Sequence, residues 1–313
     1  MNDQVCRDQA VFGPVPSRRL GMSLGVDLLV PKTCSLDCVY CELGAGGRIT
    51  TARGPQRDAG QVLAEVAERL AELDRPPDFI TLAGSGEPTL HAGLGRVIAG
   101  LKAMCPARVA VLTNATLTPD AQVRSELCLA DVLAPSLDAA SQAVFRRVNR
   151  PAPGLEIEAI IAGLIALRRQ HRGEFWLEVL LAAGYNDSDE ELERIMAAAR
   201  RIGPDKVQLN TVVRPPALKG VRPLDDARLK AIAAAFPAPA EVIAPPQATG
   251  GADRGALARQ VVEMTRRRPC TIEDIMAMAG LDRAGAGALV AELGGQGQLR
   301  EEAFGATKYY RGV

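Results

Sequence analysis

Six apolar, β-branched runs recur along this 313-residue chain, with helical patterns between them. The runs are SLGVDLLV (23–30), DFITLAG (78–84), RVAVLTN (108–114), DVLAPSL (131–137), FWLEVLLAA (175–183) and KVQLNTVV (206–213). The helical patterns are DAGQVLAEVAERLAEL (58–73), LGRVIAGLKAM (94–104), PDAQVRSELCL (119–129), LEIEAIIAGLIALRRQ (155–170), SDEELERIMAAARRI (188–202) and LDDARLKAIAAAF (224–236). In the first helix, Val62, Val66, Leu70 and Leu73 recur at helical spacing behind Asp58 and Gln61, a variant of the capping box. Strands alternating with helices imply an α/β fold with a parallel sheet and right-handed crossovers. Six units are too few for a closed eight-fold barrel, so the sheet is expected to be barrel-like and partly open, with chemistry at the carboxyl ends of the strands.

The unusual residues sit at those ends. CSLDCVYC (34–41) follows the first strand, GSGEPTLH (84–91) the second, TNATL (113–117) the third, SLDA (136–139) the fourth and NTVVRPP (210–216) the sixth. CSLDCVYC holds three of the seven cysteines, spaced Cys34-x3-Cys38-x2-Cys41. Cys6, Cys105, Cys128 and Cys270 are scattered, and His91 and His171 are the only histidines. Structural zinc takes four ligands, usually as two close pairs, and no second pair exists here. A [4Fe–4S] cluster usually takes four cysteines, so three from one loop would leave one iron for an exogenous ligand. A redox reading of Cys38 and Cys41 leaves Cys34 unexplained. On spacing alone, an iron–sulfur site, zinc with a remote ligand and plain buried cysteines all stay open.

Charge narrows the classes. Lys plus Arg and Asp plus Glu are equal at 37 each, which gives no global footprint for nucleic acid or an anionic membrane. MNDQVCRDQAVF does not read as a signal peptide, and the longest apolar stretch, IIAGLIAL, stops at Arg168, short of a membrane helix. No membrane association is expected, and the chain reads as cytoplasmic, where thiols stay reduced. The odd cysteine count also argues against a disulfide framework.

CxxxCxxC after the first strand, with Tyr40 before the third cysteine, resembles the radical S-adenosylmethionine (SAM) superfamily. GSGEP resembles that superfamily's glycine–glycine–glutamate motif, with Ser85 in the first glycine's place. The resemblance covers roughly residues 10–240, and FGPVPSRRLGMSLGVDLLVPKTCSLDCVYCELG looks like a narrower group, the wyosine-synthase-like proteins. It implies a partial (β/α)6 barrel whose cofactors are a [4Fe–4S] cluster and SAM. Cys34, Cys38 and Cys41 would each ligate an iron, and SAM would chelate the fourth through its amino and carboxylate groups. One electron, from a small donor such as flavodoxin or ferredoxin, would split SAM, and the 5′-deoxyadenosyl radical would take a hydrogen atom from substrate. Tyr40 would lie near the adenine. Gly84, Ser85 and Gly86 would approach the SAM amino group, with Glu87 holding their loop or accepting from that amine. Asn114, Ser136 and Asp138 would meet the SAM carboxylate or ribose, and Asn210 the ribose or adenine. Arg18, Arg19, Arg147 and Arg214 are candidates for an anionic substrate, with Arg146 and Arg150 in the same FRRVNRP patch. Each of these side chains also has a plainer reading, as a helix cap, a core tyrosine or a solvated surface.

The last 60 residues read differently. PAPAEVIAPPQATGGAD (237–253) looks like a linker, so the expected division is a barrel at 1–240, a linker at 241–253 and a second domain at 254–313. The order there is helix, helix–turn–helix and hairpin, a small winged-helix pattern with a capping-box start at Thr271 and Asp274. Nine Arg or Lys against seven Asp or Glu is weakly basic for a duplex reader. Arg266–Arg268, Lys308 and Arg311, with Tyr309 and Tyr310, suit RNA backbone and bases; a peptide or protein, or an intramolecular lid or dimer contact, are the other readings. Two functions follow: a radical SAM enzyme acting on a nucleobase or tRNA ahead of a peptide or small metabolite, or a winged-helix regulator whose cluster senses redox state without catalysis.

Overall fold

The computed structural model describes residues 9–29, 32–243 and 254–313. Its main sheet has eight strands. They are β1 (Val11–Ser17), β2 (Gly21–Val26), β5 (Phe79–Leu82), β6 (Arg108–Thr113), β7 (Val132–Pro135), β8 (Glu174–Leu181), β9 (Lys206–Thr211) and β10 (Ala240–Val242), lying in that order. From β2 to β10 every neighbouring pair is parallel, and only β1 runs antiparallel to β2. Among the described residues the first and last strands are not paired, so the sheet is open there. A second, two-stranded pairing joins β3 (Thr33–Cys34) to β4 (Arg48–Ile49).

Helices α1 (Ala59–Ala71), α2 (Leu94–Met104), α3 (Ala121–Leu127), α4 (Gln142–Val148), α5 (Ile157–Gln170), α6 (Asp189–Ile202) and α7 (Asp226–Ala235) connect these strands. Their ends follow local chemistry. The Asp58 side chain accepts from Gln61 N at the start of α1, and Val62 and Val66 turn inward. Ser188 caps α6, whose first turn carries Asp189, Glu190 and Glu191 and whose last carries Arg200 and Arg201, each sign facing the favourable end of the helix dipole. Gly203 ends that helix at φ 68°, a left-handed position that suits glycine. Strands such as FITL in β5 are buried throughout, because helices cover a parallel sheet on its outer face and side chains fill it within.

Residues 254–313 form α8 (Arg254–Arg267), α9 (Ile272–Ala279), α10 (Arg283–Gly295) and the antiparallel hairpin β11 (Leu299–Phe304) and β12 (Thr307–Gly312). They have their own apolar cluster, with Val261, Ile275, Leu289, Leu293 and Leu299 at its centre and Val15 of β1 packed against it. Thr271 and Asp274 make the expected capping box.

Some elements depart from the sequence reading. The first parallel strand ends at Val26 rather than 30, because the Asp27 carboxylate accepts from Leu29 N (3.1 Å) and Ser85 N (2.9 Å) and bends the chain out of the sheet. Val30 lies outside the described residues. β1 was not expected, since Pro14 and Pro16 interrupt it; as an edge strand it tolerates both. Ala240–Val242 begins within the stretch expected to be a linker, yet pairs with Val207–Leu209; residues 244–253 of that linker, and Cys6, lie outside the described residues.

Candidate functional site

β3 bridges to Gly86 through Thr33, which places Cys34 beside the turn at the carboxyl end of β5. The loop is pinned from two sides. Asp37 N and Val39 N donate to the carbonyls of Asn149 (3.1 Å) and Val148 (3.0 Å) at the end of α4, and Cys41 N donates to Cys38 O (3.1 Å). Beneath it, Thr33 N donates to Ser85 O and Glu87 N to Thr33 O, both at 3.1 Å. GSGEP is thus the brace that carries β3. A Cβ on Gly86 would overlap the Thr33 carbonyl oxygen, and one on Gly84 would overlap the Asp27 carboxylate, so the close approach requires glycine at both.

The three thiols are half-buried electrostatic neighbours. Burial, then Glu87, pushes Cys34 up to about 12. Burial, then Asp138, raises Cys38 well above a free thiol, and burial raises Cys41 against the opposing pull of Lys32. Alone, they stay protonated; only a bound cationic centre would make them thiolates. Donors already aim at the sulfurs. Leu36 N (3.5 Å) and Asn114 Nδ2 (3.4 Å) point at Cys34 Sγ, and Asn149 Nδ2 (3.5 Å) points at Cys38 Sγ. Among the described residues, no three His, Cys, Asp or Glu side chains are gathered as ligands of one metal ion. Three thiols spread along a loop, each with a polar donor set, fit a cluster that takes one cysteine per iron.

A cavity of about 180 Å³ opens beside this loop. Cys34, Cys38, Tyr40, Gly86, Glu87, Asn114, Ser136 and Asp138 all line it, brought there from the ends of β3, β5, β6 and β7. Glu87 is buried, and its oxygens are occupied: Oε1 accepts from Thr89 N (3.0 Å), Thr89 Oγ1 (2.7 Å) and Thr113 Oγ1 (2.6 Å), and Oε2 from Asn114 N (2.6 Å). Burial still outweighs these donors and raises its carboxyl. The Glu87 oxygens thus tie the GSGEP turn to the end of β6. The Tyr40 hydroxyl donates to Asp138, which also accepts from Asn149 Nδ2 (2.8 Å) and Leu180 N (2.9 Å); burial raises Asp138 to about 6.

A second cavity, about 410 Å³, shares Cys38 and Tyr40 with the first. It holds Cys41, Gly84, Arg18, Arg19, Asn210 and Arg214, and draws Met264, Arg267 and Arg268 from the C-terminal helices. Asn210 lines this cavity and not the first, with Nδ2 3.2 Å from Glu178 Oε1. Ser85 lines neither cavity: its hydroxyl is tied to Asp27 Oδ2 at 2.5 Å. Arg147 also lines neither cavity: it is exposed on α4 and donates to the Tyr185 carbonyl. Arg146 and Arg150 of the same patch face Glu156 (3.9 Å) and Asp37 (3.3 Å). His91 is buried before α2 with Nε2 2.7 Å from Arg57 O.

The structure adds residues that the sequence reading passed over. Glu178 pairs with Arg19 on the wall of the second cavity; a lone carboxylate inside the apolar run FWLEVLLAA was its available signal. Asn149 had none, since it looked like part of a basic patch. Tyr309 is corrected: it is 5% exposed and its hydroxyl donates to Val213 O at 2.5 Å, so its ring is not offered to an RNA base. Arg311 likewise turns inward, to Glu302 (3.0 Å) and the Glu42 carbonyl (3.3 Å). Arg214 locks the two parts together: Nε donates to Pro269 O (2.9 Å), and its Nη atoms reach Glu42 (3.2 Å) and Asp274 (3.3 Å).

Residues 28–199 match the family model described as the radical SAM superfamily. A UPF0026 protein of Synechocystis is 39% identical over 215 residues, covering 67% of this chain and 78% of that one. A protein of Brachyspira hyodysenteriae named GTPase Obg is 33% identical over 308 residues; the alignment takes in 97% of this chain but 45% of that protein. Among solved structures, a radical SAM methyltransferase from Sphaerobacter thermophilus superposes with a TM-score of 0.55 at 22% identity, covering 70% of this chain and 65% of that one. Streptococcus suis SuiB bound to SAM does so with 0.53 at 13% identity, covering 70% and 50%. These two likenesses speak to fold. No helix among the described residues is long and apolar enough to cross a membrane.

Proposed function

The chain belongs to the radical SAM superfamily, whose cofactors are a [4Fe–4S] cluster and SAM, and on that premise we propose that it cleaves SAM reductively at the mouth of its sheet to take a hydrogen atom from a substrate in the second cavity. The observation that carries this reading is the convergence of Cys34, Cys38, Tyr40, Glu87, Asn114, Ser136 and Asp138 on one cavity from four separate strand ends. When bound, the cluster would supply the one electron that cleaves SAM to methionine and a 5′-deoxyadenosyl radical. Cys34, Cys38 and Cys41 hold the cluster, and Asn114 and Asn149 set its potential through their contacts with the sulfurs. Gly84 and Gly86 keep the backbone close behind it. Tyr40 faces the adenine, with its hydroxyl fixed by Asp138, and Ser136 and Asp138 face the ribose. Asn210 works from the side of the second cavity. A small protein such as flavodoxin or ferredoxin delivers the electron.

In this reading the sheet through β10 and its helices are a partial (β/α)6 barrel of the wyosine-synthase-like group, and 254–313 a winged helix. The inward turn of Tyr309 and Arg311 favours a small molecule over RNA as substrate. The test is SAM binding. After anaerobic loading with iron and sulfide, SAM is expected to perturb the electron paramagnetic resonance spectrum of the reduced cluster. A full cluster whose spectrum ignores SAM sinks the proposal and leaves a redox sensor.

A further inference from the structure

The wall of the second cavity carries more positive charge than its own carboxylates neutralise. Five arginines, Arg18, Arg19, Arg214, Arg267 and Arg268, face it with two glutamates, Glu42 and Glu178. Arg19 pairs with Glu178, and Arg214 with Glu42 and Asp274. Arg267 donates to the carbonyls of Gln9 (2.9 Å) and Glu263 (3.2 Å) and lies 4.4 Å over the Phe12 ring. Among the described residues, no carboxylate lies within ion-pair distance of Arg18 or Arg268. Arg18 donates to Asn210 Oδ1 at 3.4 Å, and Arg268 to Met264 Sδ at 3.3 Å, both weak partners for a guanidinium.

We infer that this cavity is the substrate site and takes a small anion-bearing molecule, its phosphate or carboxylate held by Arg18 and Arg268 and its body directed toward Cys38 and Tyr40. The inference rests on the proposed function for the role of the site, and on the cavity's own chemistry for the ligand. Guanidinium forks match phosphate and carboxylate oxygens. The space, about 410 Å³, suits a metabolite rather than a polymer. Burial, with the repulsion of Arg214, Arg19 and Arg268, lowers Arg18 to about 10 despite the help of Glu42, and an entering anion would act in the opposite direction. The two unpaired guanidiniums also come from different parts of the chain. Arg18 sits in the turn between β1 and β2, and Arg268 just past α8. The C-terminal domain therefore completes the site, which gives its inward-facing basic residues a purpose.

The test uses the full chain with its cluster reconstituted, titrated with inorganic phosphate and, separately, malonate at constant ionic strength in chloride. Calorimetry and the thermal midpoint are both followed. At least one anion is expected to bind wild type, and its affinity is expected to fall about tenfold or more in Arg18→Ala and in Arg268→Ala. SAM affinity is expected to stay within about threefold. Tighter phosphate identifies a phosphoryl ligand, and tighter malonate a carboxylate. Arg268→Ala, at a half-exposed helix end, keeps the test open if Arg18→Ala fails to fold. Three results overturn the inference: no anion binding beyond the chloride control; binding unchanged in Arg268→Ala; or a loss of SAM affinity as large as the loss for the anion, which would make the guanidiniums partners of the methionine carboxylate. If anions bind as expected but SAM never does, the radical reading fails and the anion site stands.

Discussion

Gly86 is where backbone geometry and the cysteine loop meet. Its missing side chain lets the second-strand turn press on Thr33, one residue from Cys34. Gly86→Ala puts a methyl group into the Thr33 carbonyl, and the loop must shift to admit it. The expected cost is on the order of 3 kcal/mol, with iron per chain after reconstitution falling in parallel. Denaturant unfolding and iron analysis measure both, and a variant that matches wild type in each contradicts the role given to GSGEP. Residues of this kind were legible in the sequence. Cysteine, glycine and glutamate at fixed spacing after a strand leave few alternatives. Asn149 was not, and Arg268 was read only as an RNA contact, because ordinary polar residues gain meaning only when the fold sets them against a sulfur, an arginine or a cavity.

At the scale of elements, Arg214 joins the loop after β9 to the start of α9. It is 4% exposed and its partner Asp274 7%, so neither charge has water to fall back on. Arg214→Ala is expected to cost about 3–5 kcal/mol, since it strands Asp274. Limited proteolysis should then cut within the C-terminal helices well before wild type is cut there; an unchanged cleavage pattern would show that the apolar packing alone docks them. The six central strands were readable because they are continuous apolar runs. The edge strands were not. β1 carries two prolines and β10 spans three residues, and each owes its state to the neighbour it pairs with. α4, seven residues long and basic in its last turn, hid in the same way.

Across the whole molecule, the face opposite the mouth is tied by ion pairs instead of catalytic groups: Lys102 with Asp131 (2.6 Å) and Arg108 with Glu174 (2.6 Å). Burial alone would raise both carboxyls, but the hydrogen bond from Lys102 holds Asp131, and that from Arg108 holds Glu174, below the usual range. A carboxyl depressed on folding adds stability above its unfolded value, near pH 4, and loses it as pH falls through the folded value. The contribution of these two pairs to unfolding free energy should therefore fall as pH drops below about 4, and Asp131→Asn should flatten the slope there. Equal slopes for the variant and wild type would count against the pairing.

The molecule then divides into a tied base, an open mouth with two adjoining cavities, and a C-terminal domain that closes over the larger one. The direct measurement is 5′-deoxyadenosine, followed by mass spectrometry after anaerobic reconstitution, reduction and addition of SAM. The account predicts that wild type forms it together with methionine, and that Cys38→Ala, lacking the cluster, forms none. An intact, reducible cluster in wild type that leaves SAM uncleaved would contradict it.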